Sequence, residues 1–404
     1  MLMSKSQRLL SGVVVLYFII ALEVLIMISP FAVFFYAAFN PFLLFLAKWT
    51  ATRWLADFFL PHMVLPPGPI LKSVRIAGSV LFVGGAIVFL VCAGQVYFNK
   101  LFRRVPAAGG LYRWIRHPQY VALAATGLGL AILWPRFLTI VLWTVMVGLY
   151  YVLARDEERR MVAQFGDVYR TYMARTGMFV PRMFERAAGS VTRPLSPALR
   201  AIAGLGLVAF LAVGGAFALR AYTVAKLPLW SSGRVVALAI LPGDAMMLEH
   251  RLADLLELPE VKDRLAQDPG PVLVYLVPKN YVMQGMIADT DPRFRLYEQH
   301  HSLMMISDWI FHPFRHLEGG HMMMHHDMGN DAAHDAPMDA TVRRLIFLNV
   351  KTAGDTSAPA GLFAINAERT PRFFIDADIH NLQLLDIQDL GPGTGWGLVP
   401  TPMF

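Results

Sequence analysis

Two short stretches of the sequence place ionisable and aromatic side chains directly beside apolar runs. Residues 109–123 read GGLYRWIRHPQYVAL, and residues 155–181 read RDEERRMVAQFGDVYRTYMARTGMFVP. An arginine or a histidine can pair with a carboxylate, a glutamate can bind an amine or a hydroxyl group, and an aromatic face attracts a cation. These side chains can therefore hold a small charged ligand, provided that the fold brings the two stretches together.

The composition is that of a membrane protein. The chain has 404 residues, of which 56% are hydrophobic and only 16% are charged, with a mean hydropathy of +0.47. Soluble domains carry about 25% charged residues. Because a helix needs about 20 apolar residues to cross a bilayer, the sequence predicts a polytopic α-helical membrane protein with about five transmembrane helices, at roughly 9–38, 70–97, 119–134, 137–153 and 200–219.

The third and fourth predicted helices form a hairpin, because only Trp134-Pro135-Arg136 separates them. Both open ends of this hairpin therefore face the same side of the membrane. Residues 98–118 carry five basic side chains and no acidic ones, and residues 154–199 carry eight arginines and five acidic side chains. Positively charged loops stay in the cytoplasm, so we expect a multi-pass protein of the cell inner (cytoplasmic) membrane whose C-terminal domain is extracytoplasmic. The basic excess is explained by lipid and needs no nucleic acid as partner.

The charge balance divides the chain near Arg220. Residues 1–220 have 22 basic and 7 acidic side chains, whereas residues 221–404 have 14 basic and 22 acidic ones. We therefore predict a transmembrane domain at 1–220 and an extracytoplasmic domain at 221–404. Residues 41–69, rich in tryptophan and proline, are expected at the membrane interface, with a short extra span as the alternative.

The second domain has the pattern of a mixed α/β soluble domain. Residues 246–267 show helical spacing, and three apolar runs resemble strands, at 272–277, 343–350 and 372–379. The one cysteine, Cys92, excludes an intrachain disulfide and a cysteine-based zinc site.

The two charged stretches together resemble the isoprenylcysteine carboxyl methyltransferase and phospholipid methyltransferase superfamily of integral-membrane enzymes. The resemblance covers about residues 100–182, with an apolar hairpin between two separated motifs. The family core has no domain like 221–404. The matching positions are Gly110, Tyr112, Arg116, His117, Pro118 and Tyr120 in the first motif, and Glu157, Glu158, Phe165, Gly166, Tyr169, Tyr172 and Pro181 in the second.

The resemblance implies an integral-membrane methyltransferase that uses S-adenosyl-L-methionine, with membrane lipid as its surroundings. It implies a lipophilic or small membrane-partitioning methyl acceptor, of a kind that the family leaves open: a prenylcysteine carboxylate, a phospholipid amine or a small thiol. Arg116, His117 and Glu158 are the expected catalytic residues. The expected cofactor-binding residues are Tyr112, Arg116, His117, Pro118, Tyr120, Glu157, Glu158, Tyr169 and Tyr172.

Each of these residue types also has a simpler interpretation. The arginines can anchor the helices at a positively charged cytoplasmic surface, and the tyrosines can form an interfacial aromatic belt. Glu157 and Glu158 can be solvated acids that pair with Arg155 and Arg159. The joint pattern favours the methyltransferase interpretation over these.

A second segment could bind metal. Eight of the twelve histidines and many methionines fall within residues 300–338. Imidazole suits copper(II) and zinc, and thioethers suit copper(I), so the segment predicts a metal site, with copper favoured; the alternative is a flexible polar loop. An alternative function follows, that of a non-catalytic copper-binding or assembly subunit of a larger membrane complex. The candidate ligands are His316, His321, Met324, His325, His326 and Met328.

Overall fold

The computed structural model describes residues 42–61, 68–99, 102, 108–191, 194–279, 281, 284, 287–288, 342–352 and 359–391. The predicted first helix at 9–38 and the segment 300–338 lie outside the described residues. The described chain forms two compact units. The first contains residues 72–218, and the second contains residues 42–71 and 219–391 as far as they are described.

Residues 42–47 are helical. The helices that follow in the described part of the chain are α1 Thr50–Ala56, α2 Pro69–Phe98, α3 Pro118–Leu133, α4 Phe137–Phe165, α5 Asp167–Arg175, α6 Arg182–Val191, α7 Pro197–Val224, α8 Ala245–Leu256 and α9 Pro259–Ala266. A turn of 3₁₀ helix, Gly110–Arg113, precedes α3. The strands are β1 Leu229–Ser232, β2 Val235–Ala239, β3 Val272–Pro278, β4 Val342–Lys351, β5 Glu368–Asp378 and β6 Gln383–Asp389.

Three of the described helices are long and apolar enough to cross a membrane. Helices α2, α4 and α7 have 30, 29 and 28 residues with mean hydropathies of 2.5, 2.1 and 2.3 over their most apolar windows, and α3 is a shorter apolar helix. At about 1.5 Å per residue, each long helix exceeds the roughly 30 Å hydrocarbon core of a bilayer. These four helices match the predicted second to fifth spans, which confirms the polytopic helical membrane fold.

Small residues let α2 and α3 approach closely. A Cβ atom added to Gly129 would lie 2.4 Å from the backbone nitrogen of Phe82, and one added to Gly85 would lie 2.6 Å from Thr126 Oγ1. Such close helix contacts are typical of membrane helices, since lipid supplies no hydrophobic drive for their association. The crossing fixes α3 against α2.

The predicted hairpin is present, with α3 and α4 joined by Trp134–Arg136. Leu130 of α3 packs with Met146 and Tyr150 of α4 in a buried cluster. Helix α4 continues beyond its apolar part to Phe165. The two glutamates at 157 and 158 therefore lie on the same continuous helix as the apolar hairpin arm.

In the residues that the structure describes, the second unit forms a six-stranded mixed sheet with the strand order β1-β2-β3-β4-β5-β6. Strands β2 and β3 are parallel, connected through α8 and α9, and all other neighbours are antiparallel. Both faces of the sheet carry buried apolar clusters, and every residue of β3 is buried. The sheet confirms a mixed α/β domain in the C-terminal half.

Residues 42–61 contribute to this second unit. Asp57 is almost fully buried and accepts a hydrogen bond from the backbone nitrogen of Asn366 at 3.0 Å. Arg53 pairs with Glu368 at 2.7 Å, and the guanidinium of Arg220 donates to the carbonyl oxygen of Phe363 at 2.8 Å. An arginine and an aspartate this deeply buried are tolerated only with such partners.

Candidate active site

A buried ion pair joins the two sequence motifs. Arg116 Nε donates to Glu158 Oε1 at 2.5 Å, and their side chains are 6% and 5% exposed. Arg116 Nη1 also donates to the carbonyl oxygens of Met173, at 3.1 Å, and Thr176. The hairpin therefore does bring residues 42 positions apart into contact, and the guanidinium is held on three sides by the protein itself.

His117 lies between the two glutamates. Its Nδ1 is 3.5 Å from Glu157 Oε2 and its Nε2 is 3.5 Å from Glu158 Oε1, while the side chain is only 2% exposed. Neither ring nitrogen has a well-formed hydrogen bond within the part of the chain that the structure describes. Burial lowers the pKa of His117, but the two neighbouring carboxylates raise it by more, so the net pKa lies above its usual value. The arrangement favours the positively charged imidazolium.

A short backbone pairing positions Arg116 and His117. The backbone nitrogen of Arg116 donates to the carbonyl oxygen of Gly177 at 2.8 Å, and that of His117 donates to Met178 O at 3.1 Å. Gly177 N donates in return to Trp114 O at 3.3 Å. A Cβ atom at Gly177 would lie 1.8 Å from Val180 O. Only glycine therefore permits the turn that places this segment against Arg116 and His117.

Pro118 starts α3 directly after His117. It occupies the first turn of the helix, where its fixed φ angle suits the helix and its missing N–H is not needed. His117 is the residue that precedes the helix and has an irregular backbone conformation, with φ −125° and ψ 56°. Pro118 thus has a positioning role: it fixes where the helix begins and where the imidazole projects.

Aromatic rings stack beside the two glutamates. The Tyr120 hydroxyl donates to Glu157 Oε2 at 3.3 Å. The Tyr120 ring stacks with that of His117, at a centroid distance of 5.5 Å, and with that of Tyr150, at 5.3 Å. The Phe179 ring lies 6.0 Å from His117 on another side. Aromatic faces next to carboxylates favour a cationic group.

The remaining tyrosines of the two motifs, Tyr112, Tyr169 and Tyr172, are linked by hydrogen bonds and ring contacts. The Tyr172 hydroxyl donates to the Tyr112 carbonyl oxygen at 2.6 Å, and the Tyr112 hydroxyl donates to Gln119 Oε1 at 3.0 Å. Tyr169 lies 5.6 Å from Tyr172 between ring centroids. Gly166, with φ +56°, ends α4 and lets α5 turn back towards the site. Burial raises the pKa of Tyr172 to about 12, so its hydroxyl stays protonated and donates.

Glu157 is the accessible carboxylate of the site. Its side chain is 36% exposed, whereas Glu158 on the same helix is 5% exposed. Glu158 is paired with Arg116, while the contacts of Glu157 among the described residues are the longer ones to Tyr120 and His117. An incoming ligand would thus meet Glu157 first.

The sequence did not single out Tyr150, Phe179 or the carbonyl groups of Met173 and Thr176. Tyr150 precedes Glu157 by seven residues, which is two helical turns and the same face of α4. That spacing is the signal that could have identified it. The carbonyl groups carry no such signal, because every residue has one.

Residues 75–168 match the family model for phospholipid methyltransferases. The match begins within α2, contains the hairpin and both glutamates, and confirms the resemblance seen in the sequence. It covers under a quarter of the 404 residues. No curated protein and no solved structure gives a significant match. The matched part of the chain is thus that of a membrane methyltransferase in general.

Proposed function

We propose that the protein transfers a methyl group from S-adenosylmethionine to a lipophilic or small membrane-partitioning acceptor. The observation that carries this proposal is the buried cluster of Arg116, His117 and Glu158 at the end of a membrane hairpin, with the half-exposed Glu157 beside it. The family match over this same hairpin supports it.

The residues present fit this cofactor. S-Adenosylmethionine carries a sulfonium, an amine, a carboxylate, a ribose and an adenine. Glu157 can accept from the amine or the ribose hydroxyls, and the aromatic rings next to His117 can cover adenine. The buried ring nitrogens of His117 lack good hydrogen bonds among the described residues, and such atoms in a folded protein call for a partner. When bound, the cofactor supplies the electrophilic methyl group.

The chain's own residues bind and orient the cofactor, and they exclude water from it. Arg116 donates hydrogen bonds to Glu158 and to the Thr176 carbonyl oxygen. We therefore assign Arg116 and Glu158 as positioning residues that hold His117 and Glu157 in place. Glu157 and Tyr120 contact the cofactor. Methyl transfer is a displacement that needs alignment and a dry site more than a strong base. A site at the end of the apolar hairpin of α3 and α4 suits a lipophilic acceptor that comes from the bilayer.

The first prediction concerns Glu157. A hydrogen bond to a charged group contributes about 1.5–3 kcal/mol, and about 1.4 kcal/mol corresponds to a tenfold change in affinity. Glu157→Gln should therefore weaken S-adenosylmethionine binding by about ten- to a hundredfold. Calorimetry on the full-length protein in detergent measures this directly, with thermal unfolding as a check that the variant is folded.

The matched control is Asp156→Asn. Asp156 is the preceding residue on α4 and pairs instead with Arg159 and Arg160, so the same loss of charge should leave affinity unchanged. Wild-type affinity in Glu157→Gln would remove Glu157 from the site. Folded wild-type protein without any binding would refute the methyltransferase proposal itself.

A second candidate function rests on the histidine- and methionine-rich segment 300–338. It lies in the connection between β3 and β4, outside the described residues. Within the residues that the structure describes, no three or more histidine, cysteine or acidic side chains form a group able to hold a metal ion. Copper binding by this segment therefore stays a proposal from its composition.

A further inference from the structure

Helix α6 has two chemically distinct faces. At about 100° per residue, Met183, Phe184 and Ala187 project to one side, and Arg182 and Arg186 to the other. Met183 and Phe184 are 69% and 58% exposed. Large apolar side chains this exposed on a helix with a charged opposite face are typical of helices that lie in the membrane interface.

The position of α6 in the chain places it at the membrane surface. It ends at Val191, and the membrane-length helix α7 begins at Pro197. Five intervening residues span less than about 18 Å even when fully extended. Residues 182–200 contain four arginines and one glutamate. This charge complements anionic lipid headgroups, which attract basic segments next to a membrane helix.

The same helix contacts the wall of the active site. Glu185 Oε1 accepts a hydrogen bond from the backbone nitrogen of Met178 at 3.2 Å. The carbonyl oxygen of Met178 accepts from the backbone nitrogen of His117 at 3.1 Å, and the Phe179 ring lies 6.0 Å from the His117 ring. A displacement of α6 would therefore be transmitted to His117 through two hydrogen bonds.

We propose that α6 is an interfacial helix that inserts Met183 and Phe184 into an anionic lipid leaflet, and that this insertion holds Met178 and Phe179 against His117. The first part stands on α6 alone. The second part rests on the proposed function, since it makes the cofactor site dependent on the lipid surface.

Spin labels test the insertion. Cys92 is the only cysteine, so Cys92→Ala gives a background for single labels at Met183→Cys and Phe184→Cys. Arg186→Cys and Gly189→Cys, on the opposite face of α6, are the controls. The full-length protein is reconstituted into phosphatidylcholine vesicles with and without phosphatidylglycerol. We expect the first two labels to be accessible to oxygen and shielded from an aqueous nickel chelate, more deeply with phosphatidylglycerol, and the controls to show the reverse.

Three outcomes would overturn the proposal that α6 inserts into an anionic leaflet. Labels at 183 and 184 that are as accessible to nickel as those at 186 and 189 place the helix in water. Shielding from both oxygen and nickel, or dipolar coupling between labels, shows that a protein partner or a second copy covers the face. A depth that does not change with phosphatidylglycerol refutes the requirement for anionic lipid.

A binding measurement tests the link to the site. In the anionic vesicles, Phe184→Glu should weaken S-adenosylmethionine binding by about tenfold, because it expels α6 from the interface. Met246→Glu is the control, since Met246 is an equally exposed apolar side chain, 68%, of the second unit. Unchanged affinity in Phe184→Glu refutes the link. If the wild-type protein binds no cofactor, the methyltransferase proposal fails, and the spin labels still decide the insertion.

Discussion

The Arg116–Glu158 pair determines which substitutions are informative at the site. Both side chains are almost fully buried, and removal of one partner leaves an uncompensated charge that costs about 3–5 kcal/mol. Glu158→Ala would therefore lower the stability of the fold before it reported on a ligand. Glu157, half exposed and one residue away, can lose its charge without that penalty, and for this reason it carries the binding test.

His117 gives the site a pH dependence. Its pKa in the folded protein lies above the usual 6.5 because of Glu157 and Glu158. The folded state therefore binds the proton more tightly than the unfolded state, and the resulting stability is full below about pH 6.5 and is lost as the pH rises through the folded pKa. We expect the Tm of the wild-type protein in detergent to fall over that window by more than the Tm of His117→Gln.

His250→Gln is the control for this experiment, since His250 is an exposed residue of α8. It should keep the wild-type dependence of Tm on pH. Parallel curves for the wild-type protein and His117→Gln would show that the two carboxylates do not hold a proton on His117.

At the scale of elements, the sequence predicted the helices and strands that show as long apolar runs or as periodic patterns. The hairpin followed from two apolar runs around Trp134–Arg136, and the strands near 272–277, 343–350 and 372–379 followed from continuous apolar runs. The predicted helix at 246–267 is two helices, because Pro259 starts a new one and cannot continue the first. Strands β1, β2 and β6 were missed: β1 and β2 are short, and β6, with the sequence QLLDIQD, has neither a continuous apolar run nor a strict alternation of apolar and polar residues.

The candidate site also has parts that the sequence predicted and parts that it did not. The side chains of Arg116, His117 and the glutamates were predicted from their types and from the hairpin. The pairing of residues 114–117 with 177–178 was not, because it is made by backbone groups whose partners depend on the turn at Gly177. Sequence patterns report side-chain chemistry and spacing, and backbone pairing between distant loops leaves neither.

The turn at Gly177 can be tested by a single substitution. Gly177→Ala would place a methyl group 1.8 Å from Val180 O, so residues 177–180 must move away from Arg116 and His117. We expect a lower Tm and at least a tenfold loss of S-adenosylmethionine affinity by calorimetry. Gly189→Ala, inside α6 with open space around it, should bind normally and be slightly more stable, since alanine favours a helix by about 1 kcal/mol over glycine. Normal binding by Gly177→Ala would show that this segment does not shape the site.

At the scale of the whole molecule, the chain combines a family-like membrane unit with a sheet unit that the family core lacks. Every residue of the candidate site, from Tyr112 to Glu185, belongs to the first unit. The histidine- and methionine-rich segment 300–338 enters the second unit between β3 and β4. The two proposed functions therefore depend on different parts of the chain and can be removed one at a time.

Replacing residues 300–338 by a glycine–serine linker of equal length separates them. The pairing of β3 with β4 extends to Pro278 and Arg343, and Arg343 is further held by Asp244 at 2.9 Å, so the sheet does not need the segment's own sequence to close. We expect the wild-type protein to retain copper through desalting after loading, as measured by elemental analysis, and the replaced protein to lose it while it keeps its affinity for S-adenosylmethionine. Equal copper in both proteins would refute metal binding by the segment, and cofactor affinity lost with the segment would show that the two halves act as one site.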